Sequence, residues 1–238
     1  MIIAVCLSLL GPSLAAEQSV VDGNTLRLDG RTFRLAGIEA PTTDQTCLDH
    51  TGAIWRCGIE ARDRLKAFVG SRTLICNDVG ADPIYRKRRM ATCSLDGEKT
   101  SINQWLVREG WALNIDSKSR YKEEEYLARR AKKGLWNGCF VSPQVLRRWS
   151  RTMAKLLGAA CPADSDWQTL TTLFPDRPSM PAGCSIKGKL AARALVSGHR
   201  GVYHMESCGS YRRTKNPERW FCSEDEAKAE GFRKALTC

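Results

Sequence analysis

Alternating apolar and polar residues near the start of the chain predict a β-hairpin. The alternation runs through residues 25–28 and 32–35, and the Asp-Gly dipeptide between them is a strong turn signal. Because successive side chains of a strand point to opposite faces, Phe33 and Leu35 face the core and Arg34 faces the other way. Arg34 is therefore either free to meet a ligand or an ordinary solvated arginine.

Helical and strand-like patterns follow the hairpin. Residues 59–69, 101–110 and 119–136 carry apolar residues at helical spacing, each with a glycine at or near its end. Residues 72–80 and 89–97 are typical of strands, and the loop between them is charged and contains proline. This order predicts an α+β fold with a mostly antiparallel sheet, and the many short strands favour a closed barrel.

The pattern divides the chain into four parts. Residues 1–16 form an apolar run that ends in small residues, which is typical of a signal peptide and too short to span a membrane. Residues 17–150 form the predicted main domain. Residues 151–183 contain four prolines and predict a linker, and residues 184–238 form a small cysteine-containing module. We expect a monomeric protein without stable membrane insertion.

Charge favours a polyanionic partner. The 238 residues are 42% hydrophobic, which is ordinary for a globular chain. The 37 Lys and Arg residues outnumber the 26 Asp and Glu residues and leave a net charge of +11. This surplus suits nucleic acid, DNA or RNA, better than a membrane surface.

The cysteines indicate disulfides and export. Of 11 cysteines, Cys6 lies in the predicted signal peptide, and the even number that remains suits a secreted or periplasmic chain. Cys47 and Cys57 flank a short loop, and Cys76 and Cys93 end two segments that can be neighbouring strands. These two pairs are the natural first guesses, although sequence does not determine connectivity.

Several motifs together resemble the staphylococcal nuclease (thermonuclease) family. They are "VVDGNT", "FRLAGIEAP", "ATCSLDG", "LVREGWA" and "ARRAKKGLW", which occur in this order within residues 19–149. The resemblance implies a five-stranded, oligonucleotide-binding-type β-barrel with three helices. It also implies calcium-dependent hydrolysis of DNA and RNA phosphodiesters.

The resemblance assigns two arginines to the phosphate. Arg34 matches the first, and Arg88 is our match for the second by counting back from "ATC", although Arg86 or Arg89 could serve instead. Together with Lys87 they form a basic run that is either a solvated loop or a nucleic-acid-binding edge.

The same comparison shows two departures at the catalytic residues. Glu39 matches one calcium-binding acid, and Ala40 matches the residue that lends its backbone carbonyl. Asn24 replaces the other calcium-binding acid, and Thr42 replaces the glutamate that activates water. A neutral amide weakens a calcium site, and threonine cannot be a general base near neutral pH. Asp44 or Glu39 could act instead through a water.

These features leave three functional hypotheses. The first is an exported, attenuated nuclease with a weak calcium site. The second is a nucleic-acid-binding protein of the same fold that no longer cuts. The third, weaker hypothesis is a cell-envelope protein whose function lies in the C-terminal module.

Two interpretations of the C-terminal cysteines stay open. The segment is similar to the zinc segment of bacterial DNA methylphosphotriester-repair proteins, and four residues could supply structural zinc ligands: His204, Cys208, Cys222 and Cys238. The competing interpretation pairs Cys208 with Cys222, and Cys184 with Cys238 or Cys161, as disulfides.

Overall fold

The computed structural model describes residues 17–83, 85, 87–118, 120–162 and 166–238. The predicted signal peptide and Arg86 lie outside the described residues. The described part contains a main domain, a connecting segment and a C-terminal module, each with its own group of buried apolar side chains.

Among the described residues of 17–138, the main domain combines a mixed sheet with three α-helices. Its strands are β1 (Gln18–Asp22), β2 (Thr25–Leu28), β3 (Arg31–Leu35), β4 (Ile38–Glu39), β5 (Cys47–Leu48), β6 (Ile54–Trp55), β7 (Leu74–Ala81), β8 (Arg89–Leu95) and β9 (Leu113–Asn114). Its helices are α1 (Cys57–Val69), α2 (Ile102–Arg108) and α3 (Lys122–Arg130), followed by a 3-10 helix at Gly134–Asn137. The order of the main sheet is β1-β2-β3-β8-β7, with β3 and β8 parallel and the other pairs antiparallel. This confirms the predicted α+β fold.

The predicted hairpin is confirmed in its register and turn. β2 pairs antiparallel with β3, with Leu28 opposite Arg31. The turn residues Asp29 and Gly30 have φ angles of 50° and 71°, and a type I′ turn requires positive φ at both positions. Phe33 and neighbouring apolar side chains of the sheet pack against α1 and α2 in the main core.

One side chain connects the two outer strands of the main sheet. Gln18 of β1 accepts a hydrogen bond from the Leu74 N–H of β7 at 2.9 Å and donates one to the Arg72 carbonyl at 2.7 Å. The sheet therefore curls far enough for its edges to meet at this end.

The predicted linker is more structured than its four prolines suggested. It follows β10 (Phe140–Val141) and α4 (Pro143–Arg148), and it carries a 3-10 helix (Arg151–Met153), β11 (Leu156–Leu157) and α5 (Trp167–Leu173). β11 pairs with β10, and Leu173 and Phe174 are buried with Val141. Residues 174–185 contain neither helix nor strand, so only this last stretch resembles the linker that we expected.

The C-terminal module has a sheet and core of its own. Its elements are β12 (Ile186–Leu190), α6 (Ala194–Ser197), β13 (Gly201–His204), β14 (Arg219–Phe221), α7 (Glu224–Ala229) and β15 (Phe232–Lys234). The strand order is β14-β12-β13-β15, and only β13 and β15 are parallel. Phe221 and Phe232 meet edge to face in its core, 4.8 Å apart.

All ten cysteines of the described residues form disulfides. The pairs Cys47–Cys57 and Cys76–Cys93 are confirmed. The other predicted pairs are wrong, because the structure joins Cys139 to Cys161, Cys184 to Cys222 and Cys208 to Cys238. Five disulfides are typical of a chain that folds in an oxidising compartment.

The same disulfides separate the four residues considered for zinc. Cys222 is bonded to Cys184, and Cys208 to Cys238, so these cysteines are not free to act as thiolate ligands. His204 shares a 2.7 Å hydrogen bond with the Ser210 hydroxyl. Among the described residues, no helix is long and apolar enough to cross a membrane.

We predict that Gly58→Ala destabilises the fold. A Cβ atom at Gly58, in the first turn of α1, would lie 1.7 Å from the Thr42 carbonyl oxygen, and this backbone cannot move without displacing the loop that carries Thr42. Overpacking of this kind costs about 1 to 3 kcal/mol or more, which exceeds the helix-propensity gain of about 1 kcal/mol. Urea denaturation measures the change.

Gly209→Ala is the matched control, since the new Cβ atom would lie 3.9 Å from its nearest neighbour, the Thr237 carbonyl oxygen. Equal stability of Gly58→Ala and the wild type would contradict the close contact between α1 and the Thr42 loop.

Candidate functional site

Arg34 and Glu39 form a buried ion pair on the face of the sheet opposite the main core. Arg34 Nη2 lies 2.8 Å from both carboxylate oxygens of Glu39. The alternation of β3 placed Arg34 on this face as predicted, but Arg34 is only 4% exposed. The expectation of a solvated arginine is therefore wrong, because α4 and the C-terminal module cover this face.

Arg88 is also buried. It donates hydrogen bonds to Asp82 Oδ2 at 2.7 Å and to the Ala229 carbonyl of the C-terminal module. Its neighbours in the basic run behave differently: Lys87 is exposed, and Arg89 pairs with Asp78 at 2.6 Å. The described residues of the run are therefore not a uniform solvated edge, and Arg88 lies close enough to Arg34 for the two charges to repel each other.

Two further arginines join this site without a signal in the sequence. Arg147 lies on the buried face of α4, four residues after the buried Pro143, and donates to Glu39 Oε1 at 2.7 Å and to Glu230. Arg219 of β14 binds both oxygens of Asp44, at 2.8 and 2.9 Å. Their partners are distant in sequence, so spacing alone could not identify them.

Glu230 lies at the centre of this site because of how α7 ends. The Ser223 hydroxyl caps α7 by accepting the Glu226 N–H at 3.1 Å, and the chain turns at Gly231, whose φ is 82°. Any side chain at Gly231 would have its Cβ 3.2 Å from Tyr85. The helix end therefore sits directly on the main domain and directs Glu230 into it.

We call the resulting group the arginine cluster. Its guanidinium groups belong to Arg34, Arg88, Arg147 and Arg219, and its carboxylates to Glu39, Asp44, Asp82 and Glu230. The four arginines are at most 4% exposed. Positive and negative groups balance one for one, which is how buried charges are normally tolerated.

The cluster shifts the pKa values of its carboxyl groups. Burial alone would raise the pKa of Glu39, but Arg147 and Arg34 outweigh it and hold the pKa below its ordinary value. Burial opposes ionisation of Glu230 as well, yet the surrounding arginines hold its pKa well below the ordinary value. Both carboxyl groups are therefore ionised at neutral pH.

Asp22 differs from these two carboxyl groups. Burial raises its pKa, and the negative charge of Glu230 raises it further. Its Oδ1 accepts the Asn24 N–H at 2.6 Å, whereas Oδ2 makes no hydrogen bond to a described residue. Asp22 thus keeps one carboxyl oxygen without a hydrogen bond beside the cluster.

The residues expected to bind calcium do not fit that ion in this arrangement. Asn24 Nδ2 donates to the Ala40 carbonyl at 2.8 Å, and Asn24 Oδ1 accepts the Ala40 N–H at 2.6 Å, so the two neutral ligands bind each other. Glu39 is held by two guanidinium groups. Calcium takes six to eight oxygen ligands, and among the described residues no group of three or more acidic, histidine or cysteine side chains could hold a metal.

Thr42, which the resemblance predicts at the position of the general base, is buried. Its hydroxyl donates to Asp44 Oδ1 at 2.7 Å. Asp44 also accepts from Arg219 and from the Trp220 N–H at 3.0 Å, so both of its oxygens are bound. Asp44 therefore has no free oxygen with which to replace the missing glutamate in this arrangement.

We predict that Arg147→Ala lowers the free energy of unfolding by about 3 to 5 kcal/mol, because it removes a partner from two buried carboxylates at once. Urea denaturation at neutral pH measures this loss. The control is Arg148→Ala, which removes the same side chain from the next, exposed position. Comparable losses in both variants would argue against a cluster held together by Arg147.

We predict that Glu226→Gln stabilises the protein in alkaline solution. Burial, with smaller effects from Asp22 and Asp44, raises the pKa of Glu226 from 4.5 to about 8. The folded chain therefore holds this proton more tightly than the unfolded chain, and wild-type stability falls as pH rises between these two values. The variant should match the wild type at pH 4 and exceed it at pH 8 by on the order of a few kcal/mol.

Thermal unfolding across this pH range provides the measurement, with exposed Glu206→Gln as the control. If the difference in stability between Glu226→Gln and the wild type did not grow with pH, Glu226 would already be ionised at neutral pH.

Comparison with known proteins places these residues in a family. A family model described as staphylococcal nuclease homologue matches residues 32–138, which include Arg34, Glu39, Thr42 and Arg88. A relative from Rhizobium meliloti (strain 1021), named succinoglycan biosynthesis protein ExoI, is 34% identical over 127 residues, which are 52% of this chain and 64% of that protein. The chain thus spans less than two thirds of that relative's length. Residues 32–138 therefore form a staphylococcal nuclease homologue domain.

Proposed function

We propose that this protein binds the phosphodiesters of DNA or RNA through Arg34 and Arg88 and cleaves them slowly or not at all. The observation that supports this proposal is the convergence of both arginines, within a staphylococcal nuclease homologue domain, on one buried cluster. Guanidinium groups bind phosphate oxygens through paired, charge-assisted hydrogen bonds. The net charge of +11 would strengthen the attraction of a polyanion.

Weak cleavage follows from the residues around the arginines. Thr42 cannot accept a proton near neutral pH, and losing a general base typically slows a reaction by about 10² to 10⁴. Asn24 and Ala40 satisfy each other's hydrogen bonds, and Glu39 is neutralised by arginines. The electrostatic attraction of the arginines for phosphate does not require Thr42, Asn24 or Ala40.

Slow hydrolysis is the second candidate, and Asp22 favours it. Its Oδ2 makes no hydrogen bond to a described residue, and burial raises its pKa toward the range in which a carboxylate is an effective base. If a phosphodiester reached the arginines, Asp22 could take the proton of an attacking water.

We also propose that the protein acts outside the cytosol, secreted or in the periplasm, which its five disulfides support. The name of the relative refers to succinoglycan biosynthesis. Succinoglycan is therefore a useful competitor when binding is measured.

The test is fluorescence anisotropy with short, labelled single-stranded DNA and RNA at two salt concentrations. We expect the wild type to bind both, and Arg34→Ala to bind about ten- to a hundredfold more weakly, since each charge-assisted hydrogen bond contributes about 1.5 to 3 kcal/mol. Gel electrophoresis of the same mixtures, with and without millimolar calcium, reports cleavage.

Arg64→Ala is the control, because it removes an exposed arginine with a similar loss of net charge. Equal affinities for Arg34→Ala and Arg64→Ala would place the ligand elsewhere on the basic surface. Rapid calcium-dependent cleavage that is lost in Arg34→Ala would instead establish a working nuclease.

A further inference from the structure

The arginine cluster has more hydrogen-bond donors than its carboxylates use. Each of its four guanidinium groups keeps one nitrogen without a hydrogen bond to a described residue: Arg34 Nη1, Arg88 Nε, Arg147 Nη2 and Arg219 Nη1. These side chains are at most 4% exposed. Buried donors are normally satisfied, so a surplus on four converging arginines indicates a site built for an anion with more acceptor oxygens.

In this structure, the carboxylate of Glu230 is the anion that lies among these donors. Its Oε2 is bound by Arg147 and lies 3.7 Å from Arg219 Nη1. Arg34 and Arg88 also act on it electrostatically. Its Oε1 accepts no hydrogen bond from a described residue, so the carboxylate uses the donors incompletely.

A phosphodiester resembles this carboxylate in charge and exceeds it in acceptors. Both carry one negative charge, so a phosphodiester in the place of Glu230 would face Arg34, Arg88 and Arg147 with the same charge. A phosphodiester has two ester oxygens in addition to its two non-bridging oxygens. Because the four oxygens are arranged tetrahedrally around phosphorus, they can accept hydrogen bonds from several directions.

We propose that Glu230 occupies the place of the ligand's phosphate and that the C-terminal module, residues 184–238, is a lid over the arginine cluster. This inference rests on the proposed function, because it names the regulation of the same site. The lid competes with nucleic acid for Arg34, Arg88 and Arg147. Opening removes Glu230 and uncovers the arginines together.

The way the lid is attached suits such an opening. Its core, which contains Tyr203, Phe221 and Phe232, is separate from the main-domain core, so opening does not require either core to unfold. Many of the contacts between them are polar, and relative motion is expected at interfaces of this kind. Residues 174–185, without helix or strand, form a tether long enough to let the module move.

A cavity lies at the interface between the lid and the rest of the chain. Its volume is about 240 Å³, and its lining includes Thr42, Asp44 and Arg219 beside apolar residues of the connecting segment. Away from this cavity, Arg27 Nη1 of β2 lies 2.9 Å from Asp225 Oδ2 of α7, and both side chains are partly exposed. This outer pair is a latch that can be altered without touching the cluster.

The first test is Glu230→Gln in the full-length, oxidised protein, with a short labelled single-stranded DNA as the probe. The substitution keeps the shape of the side chain and removes its charge. We expect the DNA to bind about ten- to a hundredfold more tightly than to the wild type, the change that corresponds to one lost charge-assisted hydrogen bond. Glu206→Gln, an exposed position in the same module, should bind like the wild type.

The double variant Glu230→Gln/Arg34→Ala shows where the added binding occurs. We expect it to lose the gain of Glu230→Gln. A gain that survives in the double variant would overturn the inference, because the DNA would then bind outside the cluster.

The second test uses the latch and does not depend on how well Glu230→Gln folds. Arg27→Glu and Asp225→Arg each break the exposed pair and should change the affinity for the labelled DNA. We expect Asp225→Arg to bind this DNA about two- to fivefold more tightly than the wild type does. The double variant Arg27→Glu/Asp225→Arg restores the pair in reverse with unchanged net charge, and it should return to wild-type affinity. Hydrogen exchange of residues 224–230 should become faster when DNA is added.

The outcomes separate this inference from the proposed function. Equal DNA affinity of the wild type, Glu230→Gln and Asp225→Arg, with binding still lost in Arg34→Ala, would retain the binding site and overturn the lid. Absence of Arg34-dependent binding in every variant would overturn both.

Discussion

Four guanidinium groups buried in one place impose the main constraint on this structure. A buried charge without a partner costs several kcal/mol, so each arginine must have a carboxylate within reach. Asp82 and Glu39 come from the main domain, whereas Glu230 comes from the C-terminal module. The module is therefore held where it is by the charges that it helps to neutralise, and the cluster depends on the module for its balance.

This dependence links the chemistry of the site to its accessibility. The donors of the arginines are buried and partly used by carboxylates. Asn24 and Thr42, which stand where the resemblance predicts acids, both already have partners within the chain. In the function that we propose, binding and cleavage thus depend on different residues of the same site.

Buried ion pairs are weak support for stability but strong determinants of which surfaces meet. Hydrophobic residues of similar volume would join the two parts at least as firmly. Instead, the module carries its own apolar core, closed by Cys184–Cys222 and Cys208–Cys238, and presents Arg219 and Glu230 to the main domain. A contact made of charges is specific and also open to competition by another anion.

The sequence by itself determined the local structure. Alternation and turn chemistry predicted the hairpin and the side of the sheet that carries Arg34, and short spacing made Cys47–Cys57 a natural pair. The tertiary structure alone decided that Arg34 is covered, that Arg147 meets Glu230, and how the C-terminal cysteines pair. The physical reason is that periodicity and turns act between neighbours in the chain, whereas these contacts join distant segments that meet only when separate cores pack together.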